Sequence, residues 1–396
     1  MLMANIKSVP RTICTGCGAC EIVCPAKCIT MISDEEGFLI PNLDESHCVH
    51  CSRCMTVCPT NPGLLQEECI SAVAFRSLIP ESKASSSGGA AYALSSQVLK
   101  SGGTVIACIF DNKGVASHQA IENLVDLRAS QGSKYVQSDA REGFKQCERL
   151  LASGKTVLFI GTPCQVSAVK KLTGETKMLL TCDLICHGVP SPKFWLNTLE
   201  YYNAKGCLLE RANVMFRSSD RRSRVNFELY CRGDINSRIP AERDPYFSLF
   251  LNGASMRESC YSCPYAQRLR AGDITIGDCS SKERCLDFHP NQAISTILVH
   301  TEAGKRLLDD VLSAGESDST PLDVEAETRL NQQLRMPIAR PTKRNDVYRD
   351  LKYMAYDTFS RYYCKPVSFK WHAKQLIKHI IPVHTRTIIK QVLHIR

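Results

Sequence analysis

Eight cysteines between residues 14 and 58 constrain this chain more than any other feature. They fall in two runs, CTGCGACEIVCP and CVHCSRCMTVCP, each of the form C-x2-C-x2-C-x3-C-P. A cubane 4Fe–4S cluster needs four thiolates at the corners of a small tetrahedron. Three closely spaced cysteines on one loop supply three corners, and the fourth cysteine of each run crosses to the neighbouring cluster. The spacing therefore assigns Cys14, Cys17, Cys20 and Cys58 to one cluster, and Cys48, Cys51, Cys54 and Cys24 to the other. Pro25 and Pro59 follow the crossing cysteines and stop a short helix there. Structural zinc usually takes paired C-x2-C knuckles, so three cysteines in one tight loop, twice over, speak against it.

The rest of the composition sets outer bounds. A chain of 396 residues is long enough for two or three domains with cores of their own. A total of 22 cysteines without a secretory leader argues for a reducing compartment rather than a disulfide scaffold. No apolar run approaches the roughly 18 residues that cross a bilayer. The expectation is a cytoplasmic protein. The formal charge of +9 hints at nucleic acid until it is located: residues 361–396 hold eight Lys or Arg and no acid. The remainder is close to neutral, so nucleic-acid binding is not expected.

A two-cluster ferredoxin-type unit is expected over 1–68, with Gly37 and Pro41 punctuating the linker between its halves. SAVAF (71–75) reads as a strand, and Ser85 to Gly89 lead into a helix with Tyr92, Leu94, Val98 and Leu99 on its apolar side. Strands follow at TVIACIF (104–110), TVLFI (156–160) and KMLLTCDL (177–184). HQAIENLVDLRA (118–129), REGFKQCERLLASG (141–154) and the segment after GTPCQ read as helices. This alternation predicts an α/β domain with a largely parallel sheet. Its ligands would lie at the carboxyl ends of strands, where GTPCQ and LICHG fall. No G-x-G-x-x-G fingerprint is present, and Gly154-Lys155-Thr156 lacks the first glycine of a phosphate loop. Residues 214–233 read as a hairpin with a basic tip. DPYFSLFLNG, a C-x2-C at Cys260 and Cys263, GDITIGD and ISTILVHTEAGKRLLDD complete the second half.

The motifs SSSGGAAY, GSKYVQSD, VLFIGTPCQ, DLICHGVPSP, DPYFSLFLNG, SCYSCPY and GDITIGD occur in an order that resembles the beta-subunit family of coenzyme F-420 hydrogenases and dehydrogenases, in its bacterial form fused to a ferredoxin unit. The resemblance runs over nearly all of residues 1–345. It implies an α+β ferredoxin domain followed by an α/β flavin-binding domain, in stretches 1–68, 69–180 and 181–345. It further implies FAD, and a third 4Fe–4S cluster ligated by Cys164, Cys186, Cys260 and Cys263. Residues matching family flavin contacts are Ser87, Gly88, Gly89, Ser133, Lys134, Tyr135, Gly161 and Thr162. Gly88 and Gly89, at a helix start, can bring backbone N–H groups to a pyrophosphate. Cys182 competes with Cys186 for the ligand role, and Cys279 lies nearby. His187 beside Cys186 is a structural histidine on this reading. Cys108, Cys147 and most other remaining cysteines are packing residues.

The implied activity is that of an iron–sulfur flavoprotein oxidoreductase exchanging electrons with a redox protein or a deazaflavin. The alternatives are an electron-transfer subunit without a substrate, a sugar or tetrapyrrole reductase, and a scaffold with structural clusters. One departure is plain: many bacterial relatives have Phe-Trp-Gly after GDITIGD, where this chain has Cys279-Ser280-Ser281. The tail, 346–396, ends in a basic amphipathic pattern. Phe369, Ala373, Leu376, Ile377 and Ile380 oppose Lys370, Lys374 and Lys378, a pattern suited to packing on the parent domain or to peripheral contact with the inner membrane face.

Overall fold

The computed structural model describes residues 5–61, 67–217, 227–232, 238–281 and 293–364. The N-terminal unit is a pair of half-repeats. Each begins with a cysteine loop that turns through a left-handed residue, Gly18 (φ +83°) or Ser52 (φ +59°), into a one-turn helix, α1 (Ala19–Val23) or α2 (Arg53–Thr56). Between them, β1 (Ile29–Ser33) and β2 (Leu39–Leu43) pair antiparallel, and Gly37 turns between the strands with φ +90°.

The larger body is organised by one eight-stranded sheet. Its strands are β3 (Ser71–Ser77), β4 (Thr104–Phe110), β5 (Ala116–Ile121), β6 (Val157–Gly161), β7 (Leu179–Leu184), β11 (Ile274–Asp278), β12 (Ser295–Val299) and β13 (Ser317–Pro321). Three further strands, β8 (Val214–Arg217), β9 (Phe227–Cys231) and β10 (Ile239–Pro240), form a small antiparallel sheet. The large sheet runs β13-β3-β12-β11-β7-β6-β4-β5. Its centre, β4 to β11, is parallel as expected, and antiparallel strands flank it on both sides. The centre also follows the composition: β6 reads VLFIG and is buried at every position, as a strand covered on both faces must be. Helices α3 (Ala90–Lys100), α4 (Arg141–Ala152) and α5 (Pro163–Thr173) connect successive strands, followed by α6 (Pro192–Ala204), α7 (Pro245–Leu251), α8 (Glu302–Ser313), α9 (Val324–Leu330), α10 (Arg344–Tyr353) and α11 (Tyr356–Tyr363).

One expected helix is a strand. Residues 118–129 begin within β5 and end in a 3-10 turn at Asp126–Ser130. Their apolar spacing is misleading, because Leu124 and Val125 face solvent, at 41% and 83% exposure. The deciding signal is the preceding Asp111-Asn112-Lys113-Gly114. Asp111 Oδ1 accepts from Lys113 N (2.9 Å) and Val115 N (2.8 Å), and Gly114 takes φ +81°, which folds β5 back on β4 as a hairpin. The basic hairpin tip (218–226) and the amphipathic tail beyond residue 364 lie outside the described residues. Among the described residues no helix is long and apolar enough to cross a membrane.

The N-terminal unit does not merely sit on this body. Ala19 and Val57, from its two helices, share a buried cluster with Phe144, Phe159, Val166 and Val169. His118 closes the same layer, stacked on Phe159 at 5.2 Å with Nε2 against Ile160 O at 3.1 Å. Burial pushes His118 and His300 down to about 4. A histidine whose folded value is depressed leaves the unfolded chain binding more protons between its ordinary value and the folded one. Stability is therefore complete above about pH 6.5 and is lost as pH falls toward about 4. Urea unfolding followed from pH 7.5 to 4.5 should show this loss, and His118→Gln should flatten it; an equally steep profile in the variant would contradict the assignment.

Candidate iron–sulfur centre

The crossing pattern read from the spacing is present in the fold. Cys24, Cys48, Cys51 and Cys54 all line one small cavity. Cys14, Cys17, Cys20 and Cys58 form the other group, close enough for mutual electrostatic repulsion. The groups are adjacent, since Cys20 also feels Cys54. Cys51 is the exposed member, and Cys14, Cys20 and Cys58 are buried. A fifth thiol, Cys28, shares the outer cavity, with its Sγ 3.4 Å from that of Cys24.

A second cavity, of about 250 Å³, lies between this unit and the sheet. Cys164, Cys186, Cys260 and Cys263 line it together, and so does Cys17. Each arrives by a different local rule. Cys164 is in the first turn of α5, where Thr162 and Gln165 make a reciprocal capping box and Pro163 occupies the first turn. Cys186 follows the end of β7. Cys260 and Cys263 flank a 3-10 turn at Glu258–Ser262 that would be too short to hold its place alone. The loop after it is pinned by a buried ion pair. Arg270 Nη2 meets Asp183 Oδ1 at 2.8 Å, Arg270 Nη1 donates to Tyr265 O at 2.7 Å and Nη2 to Leu184 O at 2.8 Å. Asp183 also accepts from Thr275 Oγ1 (2.7 Å) and Gly272 N (2.9 Å). The pair thus fixes the stretch after Cys263 to the stretch before Cys186.

The electrostatics of these thiols fit a cationic inorganic core. Burial, then the neighbouring Cys260 and Cys263, push Cys186 up to about 12, and burial followed by Cys263 does the same for Cys260. Cys164 and Cys263 are also raised, first by burial. Four such thiols in one dry cavity ionise together only when positive charge compensates them, which iron supplies. Cys182, the rival of Cys186, is wholly buried in β7 among the sheet's aliphatic side chains, away from the cavity lining. Cys279 packs with Ala74 and Ile294. Cys147 is core, and Cys108 packs at the edge of another buried cluster.

The residues matched to flavin contacts gather at the same carboxyl edge of the sheet. Gly89 opens α3 with φ +83°, and no side chain caps that helix start. Gly88 lies so close to β3 and β12 that a Cβ would fall 2.3 Å from Phe75 O and 2.5 Å from Ser295 N. Ser87 Oγ donates to Ile294 O (2.9 Å), while Ser133 N donates to Ser86 Oγ (2.8 Å) and joins the two loops. The Lys134 ammonium is turned onto the carbonyls of Ala129, Ser130, Gln131 and Gly132 at 3.0–3.3 Å, and burial pushes it down to about 8. Tyr135 stacks on Phe250 at 4.5 Å. Of the eight, Thr162 alone lines the cavity of the four cysteines. Gly161 is packed against Phe159, Gln165 and His118.

Residues without a sequence signal complete the site. Gln137 accepts from Leu39 N (3.1 Å) and donates to Thr15 O (3.2 Å), and Arg257 Nε donates to Cys14 O (2.6 Å). Gln137 was within reach of the motif SKYVQSD; Arg257 was marked by nothing but its place three residues before Cys260. His187 Nδ1 lies 3.2 Å from Gln333 Nε2 and its ring stands edge-on to Phe250 at 5.4 Å.

Comparison with known proteins agrees with the motif resemblance. Residues 13–61 match the 4Fe–4S dicluster domain, and residues 154–325 match the family described as the C terminus of the coenzyme F420 hydrogenase/dehydrogenase beta subunit. The chain is 23% identical over 198 residues to the F-type polypeptide of the F(420)H(2) dehydrogenase of Methanosarcina mazei, a match covering 45% of this chain and 54% of that protein. The chain thus spans about half the length of that curated relative. A chain of the F420-reducing NiFe hydrogenase complex from Methanosarcina barkeri superposes with a TM-score of 0.48 at 19% identity, over 67% of this chain and 91% of that one.

Removing one partner of a fully buried pair leaves the other charge uncompensated, at a cost of about 3–5 kcal/mol. Arg270→Met should therefore reduce the unfolding free energy measured in urea by that much, and a loss under about 1 kcal/mol would show that Asp183 is held by its other donors.

Proposed function

We propose that this chain, related over its matched stretches to coenzyme F420 hydrogenase/dehydrogenase beta subunits, is an iron–sulfur flavoprotein oxidoreductase. Its electrons would be exchanged with a redox protein or a deazaflavin and serve the reduction or oxidation of a substrate still to be identified. The observation that carries this reading is the convergence of Cys164, Cys186, Cys260 and Cys263 on one cavity that Cys17 also reaches. Cys14, Cys17, Cys20 and Cys58, with Cys48, Cys51, Cys54 and Cys24, would hold two 4Fe–4S clusters, and the four cavity cysteines a third. When bound, such clusters supply one-electron exchange, and FAD supplies the conversion between one- and two-electron chemistry.

The chain's own residues give that series an order. Exposed Cys51 puts the outer group nearest a partner, Cys17 faces the cavity, and Thr162 borders both the cavity and the flavin-type loops. His187, Phe250 and Tyr135 continue the line as rings in contact, from the cavity wall to the Ser133–Tyr135 loop. The uncapped start of α3 after Ser87-Gly88-Gly89 leaves backbone donors for the pyrophosphate of FAD.

A second reading, an electron-transfer subunit of a larger complex with no substrate of its own, draws support from the loop after β11. There the place of the aromatic pair found in many relatives is taken by Ser280 and Ser281, whose N–H groups both donate at 2.9 Å to the buried carboxylate of Glu327. The chain itself fills that corner.

Anaerobic purification with iron, sulfide and flavin analysis tests the proposal. About twelve irons and one FAD per chain are expected from three cubane clusters. Cys260→Ser should lower the count to about eight, leaving the two ferredoxin-type clusters. Eight irons and no flavin in the unmodified protein would overturn it.

A further inference from the structure

Arg257 is the side chain that joins the two neighbouring thiol centres. It is 3% exposed, yet it carries a guanidinium that stays charged at every physiological pH. Its Nε donates to Cys14 O at 2.6 Å, on the first cysteine loop. Its backbone carbonyl accepts from Cys260 N at 3.0 Å, and its backbone N–H donates to Val189 O at 2.9 Å, three residues beyond Cys186. Arg257 also stacks over the Phe38 ring at 5.4 Å. One residue thereby contacts both ligand-bearing regions.

The remaining arm points at something the protein does not provide. Nη1 of Arg257 is buried and has no hydrogen-bond partner among the described residues, and the side chain lines the 250 Å³ cavity of the four cysteines. The backbone has been cleared for it: a Cβ on Gly16 would fall 2.8 Å from Nη1, 2.5 Å from Gln137 Nε2 and 2.3 Å from Leu39 O. Leaving a buried donor of a charged group unsatisfied costs about 1–3 kcal/mol or more, so an acceptor in the cavity is implied.

We propose that Arg257 tunes the third cluster: Nη1 donates to a sulfur of that cluster while Nε holds the Cys14 loop at a fixed distance. This rests on the third-cluster reading given above. Uptake of one electron from a reduced neighbouring cluster adds one negative charge to the acceptor and removes one from the donor. A fixed positive charge and a hydrogen bond to sulfur, in a dry interior, stabilise the more reduced form and raise its potential. Arginine suits the task because its planar fork donates in two directions at once, which a lysine ammonium on its flexible stem does poorly. Arg257 is then a positioning and potential-setting residue, not a catalytic one.

The test uses the full chain, purified anaerobically with its clusters, and Arg257→Gln and Arg257→Lys variants. Iron and sulfide are counted first, and EPR-monitored redox titration then assigns a potential to each cluster. In Arg257→Gln the third-cluster signal should move to a more negative potential while the outer ferredoxin-type cluster, Cys24 with Cys48, Cys51 and Cys54, stays in place. Arg257→Lys keeps the charge but not the fork, and should fall between wild type and Arg257→Gln; it also serves as the informative variant if Arg257→Gln loses iron. Unchanged third-cluster potentials in iron-replete variants would overturn the role of Arg257. About eight irons in the wild type would instead overturn the third-cluster reading, so the two failures are distinct.

Discussion

The contact on which the rest of the site depends is the pair Asp183–Arg270. Both side chains are essentially removed from solvent, 0% and 1% exposed. Burying two charges is expensive, and the cost is offset only when every donor and acceptor is used. Here Asp183 takes Arg270, Thr275 and Gly272, while Arg270 reaches back to Tyr265 and Leu184. Tyr265 in turn donates from its hydroxyl to Pro59 O at 2.6 Å, next to the crossing Cys58. A single chain of polar contacts therefore runs from the N-terminal cysteine unit, past Cys263, to the strand end that carries Cys186.

That continuity explains why the N-terminal unit is rigidly seated. Lys171 Nζ donates to Cys58 O (2.9 Å), Arg141 pairs with Glu21 at 2.7 Å, and Arg344 grips Glu36 at 2.5 Å. Exposed ion pairs of this kind contribute little each, but Ala19 and Val57 add apolar burial in the common core. Electron exchange between separate carriers is sensitive to their distance. A unit docked by both means keeps Cys17 at the cavity wall rather than swinging on a linker.

Much of this was legible in the residues. The octet of cysteines named its own partition, because thiolate geometry around a cubane allows few arrangements of three close cysteines and one distant one. The central strands announced themselves as unbroken apolar runs, as in TVIACIF and VLFIG. Segment 118–129 shows where periodicity fails: four apolar residues at helical spacing looked like a buried face, but two of them point to water and the Asp-Asn-Lys-Gly turn decides the pairing. Local turn chemistry outweighed the apolar pattern there.

The sequence by itself determined the chemistry of the metal-binding residues, since spacing along one loop is a local property that folding preserves. It also determined which loops end at the carboxyl edge of a parallel sheet. Only the tertiary structure decided that Cys164, Cys186, Cys260 and Cys263 line one cavity, and that Cys17 and Arg257 share it. Those residues are separated by up to 246 positions (263 minus 17), and what joins them is the strand order, with β7 placed between β6 and β11, together with a buried ion pair whose partners lie 87 residues apart. Contacts over such separations depend on which surfaces pack, and no local pattern records that.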